Sequence, residues 1–320
     1  MDTTIERAVF RGQPCLTLES GTLRVVLLPD AGGKAASLVY KPSGKEFLLQ
    51  GRGETYRTAP YAGDFLKGDM SGFDDMFPTI DRCFYADYPW AGTELPDHGE
   101  VWPLKWDARA ADGRVTLKVN GVRLPYTLEK TVSLRDAHTV RFSYVAANPT
   151  DFDMNFLWAA HLMLVAQKGC RHAAPEGMKA AVCAYSEGGP MGRYGDTFDF
   201  PYVPQADGGV YDASYFRGED ADDFQKFYFR ERMSEGWYCL YYPDGHILRL
   251  EFPVETVPYF SAVNAEGGSF NLRCVHLEPC TAPFDRPDVA RLHGKNSVMK
   301  AKSAYRWHLD ITVGIMEAGR

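Results

Sequence analysis

The feature that most constrains this chain is a series of short apolar-alternating segments, cut at close intervals by glycine and proline turns. Leu16, Leu18, Leu23, Val25 and Leu27 alternate around Ser20-Gly21, and Pro29-Asp30-Ala31-Gly32-Gly33 reads as a second turn. Ala36, Leu38 and Tyr40 continue the pattern, and Pro42-Ser43-Gly44 turns the chain again ahead of residues 46–49. A period of two sends alternate side chains to one face, as in half-buried strands and not helices. Short strands with this punctuation imply an all-β chain built as a large antiparallel β-sandwich or a barrel.

Further strands are expected at residues 102–106, 115–119, 126–134, 140–146, 226–229, 237–242, 247–252, 259–263 and 305–313. Residues 155–165, NFLWAAHLMLV, are one apolar run with a single histidine and read as a buried strand. Two stretches lose periodicity. Residues 51–100 are rich in Gly, Asp, Tyr and Pro and too aromatic for disorder, so they read as loops walling one mouth of the sheet. Residues 166–224 read as an excursion over the surface. One short helix is expected at 287–293, with Asp285 as its N-cap and Gly294 beyond its end. With no fixed-period repeat, residues 1–320 are expected to form a single domain.

Charge and cysteine usage exclude several classes. A net charge of -7 without a long basic run argues against nucleic acid and anionic membranes as partners. No apolar run reaches the length of a membrane span, and MDTTIERAVF lacks the apolar core of a secretion signal. Seven cysteines are scattered without a CxxC pair, against both a disulfide framework and a zinc site. A reduced, cytoplasmic protein is the expectation.

The chemistry-bearing window is residues 275–285, VHLEPCTAPFD. Glu278 follows an alternating apolar run (Phe270, Leu272, Cys274, with Leu277 close behind) and precedes Pro279, which cannot donate to a sheet ladder, so the strand should end there. A glutamate held at a strand end in apolar company is a candidate general base. The window alone also describes a surface glutamate opening a turn. His276 shares the face of Glu278, two residues away. His161 lies within the 155–165 run, where a histidine is either a core residue or an acid–base group. His98, in Pro96-Asp97-His98-Gly99, is loop-borne and free to enter a cleft. His98 and His161 have no metal-ligand spacing, there is no GxSxG, and no helix pattern follows Gly32-Gly33, so no metal, nucleophile or cofactor is expected. One carboxylate and two histidines suit enolisation, lyase chemistry, sugar-bond hydrolysis or anomer interconversion, and the residues do not choose among these.

The order of motifs resembles the aldose 1-epimerase (galactose mutarotase-like) superfamily. PDAGGKAASLVYKPSGKEFLL is similar to its opening, SGFDDMFPTID to its G-x-x-x-x-F-P segment, and LPDHGEVWPLKW to its HG loop followed by tryptophan. NPTDFDMNFLWAAHLML is similar to its N-x-T…H strand and CVHLEPCTAPFD to the strand bearing its glutamate, while Val263 stands about where many relatives carry Trp. The resemblance spans roughly residues 15–315. It implies a supersandwich fold and a cofactor-free enzyme, monomeric or homodimeric, acting on a small-molecule sugar. In that reading Glu278 is the general base, His161 the general acid, and His98, Asp75, Arg82, Trp158 and Lys226 bind substrate. The family's arginine has three candidates here (Arg57, Lys67, Arg82), and its second acidic ligand falls near Asp222, Asp223 or Lys226. Related architectures also serve as carbohydrate-binding modules, sugar sensors, and hydrolases or lyases; hydrolysis would need a second carboxylate from Asp74, Asp75 or Asp81.

Overall fold

The structure, a computed structural model, describes residues 3–316. Two large antiparallel sheets, of 12 and 8 strands, dominate it, and among the described residues the only α-helix is Pro287–Leu292. The sheets meet through aromatic and aliphatic side chains. Phe73 of the larger sheet meets Phe142 of the smaller with ring centroids 5.1 Å apart, and Trp158 meets Tyr144 at 5.0 Å. Burial of rings this size supplies the main stabilisation of such a layer.

Six adjacent strands of the larger sheet build the candidate site: β1 (Lys34–Tyr40), β2 (Phe73–Met76), β3 (Ala159–Leu164), β4 (Phe224–Phe229), β5 (Tyr259–Gly267) and β6 (Leu272–Cys280). Their order across the sheet is β1-β2-β3-β6-β5-β4. All of β1, β2, β3 and β5 is buried, because one face meets the other sheet and the opposite face is covered by loops.

Several sequence expectations are corrected. The 51–100 stretch is irregular for most of its length, yet β2 lies inside it and pairs with β3 in the middle of the sheet. Four residues, FDDM, are too short and too acidic to show an apolar period. Residues 102–106 form turns and no strand. The 155–165 run is two strands: Met154–Phe156 pairs with Ser297–Met299, and the chain breaks at Leu157-Trp158 before β3. The 166–224 excursion contributes Ala180–Ser186 and Thr197–Asp199 to the edge of the larger sheet. β6 runs through Pro279 to Cys280. Its pairing with β3 lapses beside the proline, between Ala159–Cys280 and Leu162–Leu277, as a residue without an N–H requires.

Candidate functional site

Strand register builds the site. His161 on β3 pairs with Asp74 on β2, and the β3–β6 register carries the same row to Glu278, which pairs with Ser261 on β5, itself opposite Tyr228 on β4. A second row, one pleat along, runs Met163, His276, Val263 and Lys226. Cross-strand partners share a face, so all these side chains rise from the side away from the other sheet. There a cavity of about 230 Å³ is lined by His98, His161, His276, Glu278, Lys226, Asp81 and Asp285 on its polar side. Phe65, Leu66, Met70, Phe224, Phe270 and Leu272 are among its apolar walls.

Glu278 is 2% exposed, and among the described residues its Oε2 accepts no hydrogen bond. The Lys226 ammonium lies 3.3 Å from that oxygen and 2.7 Å from Asp285 Oδ1. Burial works against the charge on Lys226, but Asp285 and Glu278 outweigh it and raise its pKa, so the lysine remains a cation. Asp285 does not cap the helix as its position in the sequence suggests. It adopts a positive φ of 63°, turns away from the helix, and accepts hydrogen bonds from Lys226 Nζ and Tyr228 Oη; Arg286 takes the cap position without a side-chain bond. Its backbone oxygen also receives the N–H groups of Ile80 and Asp81, which closes one end of the cavity. Asp285 has no signal in the sequence beyond standing seven residues after Glu278.

His161 is buried, and its Nδ1 has no hydrogen-bond partner among the described residues. Burial first, then the charges of His276, His98, Lys226 and Lys34, lower its pKa well below the usual imidazole value. Glu278 stands within 4.8 Å of His161, but its carboxylate is shared with the Lys226 ammonium at 3.3 Å, and the net effect on His161 is a lowered pKa. His276 is pushed down to about 3 by burial, with Lys226 and His98 adding to it. Both buried rings are therefore neutral at ordinary pH.

His98 differs. It projects from a turn with φ of 58°, followed by Gly99 at 75°, where an added Cβ would stand 2.3 Å from the Phe77 carbonyl oxygen. Glycine is required there, and the backbone bonds His98 N–H to Ile80 O and Glu100 N–H to Phe77 O pin the turn. The ring stacks flat on Phe65 at 3.8 Å and lies 5.1 Å from the His161 ring. Its Nδ1 is 2.9 Å from Asp97 Oδ2. Burial alone would raise the Asp97 pKa, but the bond and charge of His98 prevail and lower it.

The structure thus brings Glu278, His161, His98 and Lys226 to one cavity, with His276 and Asp285 in addition. It places three expected substrate-binding residues elsewhere. Asp75 follows Asp74 on a strand and so faces the opposite way, into the sandwich, where Lys130 (2.7 Å) and the Trp158 indole N–H (2.9 Å) bind it. Trp158 shares that inward face. Arg82 is exposed and paired with Glu94. Of the other candidates, Arg57 lines a separate small pocket, Lys67 pairs with Asp64 on the surface, and Asp222 and Asp223 bind Gly268 N–H and Arg217.

No protein-family model matches the chain, and no curated protein matches it. Comparison of folds is decisive. Slr1438 from Synechocystis sp. PCC 6803 superposes with a TM-score of 0.71 at 15% identity over 99% of both chains. A galactose mutarotase-like protein from Clostridium acetobutylicum gives 0.65 at 11% identity, over 98% of this chain and 99% of its own. The GalM/aldose epimerase homologue from C. elegans gives 0.61 at 12% identity, over 99% of this chain and 100% of its own. The chain has the galactose mutarotase-like fold. Identities this low extend to the architecture and leave the chemistry to be argued from the cavity. Among the described residues no helix is long and apolar enough to cross a membrane.

Proposed function

We propose that this protein interconverts the anomers of a reducing sugar by acid–base ring opening, with Glu278 as base. The observation that carries the reading is the placement of a buried carboxylate, one oxygen without a hydrogen bond among the described residues, on the floor of a cavity that also holds three histidines, two buried and one partly exposed. Glu278 takes the proton of the C1 hydroxyl as the bond from C1 to the ring oxygen breaks. The ring oxygen takes a proton, and an open-chain aldehyde results. Rotation about C1–C2 and the reverse transfers close the ring on the other face.

The proton donor in this reading is His98, and not the His161 that family resemblance implies. Burial and cationic neighbours disfavour the charged form of His161, whereas His98 is partly exposed and its Nδ1 lies 2.9 Å from the Asp97 carboxylate. Neutral His161 then serves as a hydrogen-bonding group to the substrate. Lys226 and Asp285 offer hydroxyl partners, and Phe65, Phe224 and Phe270 offer surfaces for the apolar face of a pyranose. Two-dimensional exchange NMR on a panel of free aldoses tests the proposal. Enzyme-dependent acceleration for at least one sugar, lowered about a hundredfold or more in His98→Gln, is the expected result. Saturable sugar binding with no acceleration for any sugar would replace this reading with that of a sugar-binding or sensing protein.

A further inference from the structure

We propose that His161, His276 and Glu278 together bind one divalent ion of the Zn²⁺ class. This goes beyond the acid–base reading and competes with it, because both require Glu278. One ligand atom from each of the three side chains lies within 4.8 Å of the others, and all three residues are buried. Buried polar atoms are ordinarily paired, and an unpaired one is destabilising. Here His161 Nδ1 finds no hydrogen-bond partner among the described residues. An unpartnered, buried imidazole nitrogen within this three-residue cluster points to a ligand that supplies what the protein does not.

The donor set agrees with the ion. Two imidazoles and one carboxylate, with the remaining position open, is an arrangement used for catalytic zinc. Neutral imidazoles are also required, since a protonated ring has no lone pair to give. The surroundings resemble an outer coordination shell. Lys226 holds Glu278 Oε2 at 3.3 Å, which leaves Oε1, 3.9 Å from His276 Nδ1, for the ion. The other ring nitrogen of His276, Nε2, lies 3.2 Å from Cys274 Sγ, which fixes the ring with Nδ1 toward Glu278. Such second contacts orient ligands and tune affinity. The charge of Lys226 does not bar a cation, because Asp285 at 2.7 Å offsets it. The open coordination position faces the 230 Å³ cavity, where hydroxyls or water complete the shell.

An ion held there removes Glu278 from proton transfer, so metal loading and anomer exchange are mutually exclusive states. The test is a Co²⁺ titration of the purified full-length chain after chelator treatment, followed by visible ligand-field absorption. The expected result is one saturable Co²⁺ per chain without a sulfur-to-cobalt charge-transfer band, weakened about tenfold or more in both His276→Ala and His276→Gln. The glutamine variant retains polar bulk, so a loss common to both is not a packing artefact. Absence of saturable binding, a thiolate band, or binding unchanged in both variants would overturn the site. Anomer exchange measured on the same samples separates the two ideas. A metal-free protein that fails to exchange any sugar but binds cobalt would end the epimerase reading and leave the metal site standing.

Discussion

Asp74 and Asp75 are consecutive carboxylates with opposite surroundings. Asp74 shares a face with His161, and Lys34 lies 3.0 Å from it. Asp75 points between the sheets to Lys130, which also donates to Gly33 O. The sequence shows two acids near a phenylalanine, and only strand parity decides which one shares the face of His161. Asp75→Ala should leave Lys130 buried and uncompensated, at a cost of about 3–5 kcal/mol in urea denaturation. Asp75→Leu with Lys130→Met should recover most of that loss. If Asp75→Ala kept full stability while sugar binding fell, its assignment to the core would be wrong. His161 lies on the cavity face, whereas Trp158, at the break before β3, packs on the core side against Tyr144 and Trp307. His276 is legible in the sequence only as a neighbour of Glu278; its closeness to His161 arises from pairing between strands more than a hundred residues apart, which no local spacing reports.

At the scale of elements, long alternating strands are readable because burial on one face leaves a period of two. The segments that escape such a reading are those where another constraint dominates. Strand β2 has an aspartate on each face, Asp74 against Lys34 and Asp75 against Lys130, so its alternation carries no apolar signal. Pro279 does not stop β6, because β5 still pairs with it while β3 does not. The loop bearing His98 is legible as a loop, and its path rests on Gly99. A Gly99→Ala substitution would drive a methyl into the Phe77 carbonyl and force the turn open. The expected outcome is folded protein with near-native circular dichroism, sugar binding weakened about tenfold or more, and His98 NMR signals shifted from their wild-type positions. Unchanged binding would show that His98 is not held over the cavity by this turn.

At the scale of the whole molecule, two sheets are fastened by polar contacts as well as by rings. His172, on the smaller sheet, bonds through Nε2 to Asn264 of β5 at 2.8 Å and through Nδ1 to Tyr238 at 3.2 Å. Burial pushes its pKa down to about 4, partly opposed by the bond to Asn264. An unfolded histidine titrates near 6.5, so between the two values the unfolded chain takes up a proton that the folded chain refuses. Stability from this group is therefore present at neutral pH and declines as pH falls through 6.5 toward 4, by roughly 2 kcal/mol at pH 5. Denaturation midpoints at pH 7 and 5 should show a drop that shrinks in His172→Gln. The overall architecture is legible from punctuation and motif order, whereas the partners of each buried charge emerge only from the packed sheets. The proposed chemistry stands or falls on Glu278 as the group that takes the C1 proton. Anomer exchange by metal-free wild type and Glu278→Gln, on whichever sugar the wild type accelerates, puts that role to the test. Retained sugar binding with exchange reduced by about a hundredfold or more in the variant is the expected result. Exchange at wild-type rate in folded Glu278→Gln would contradict it.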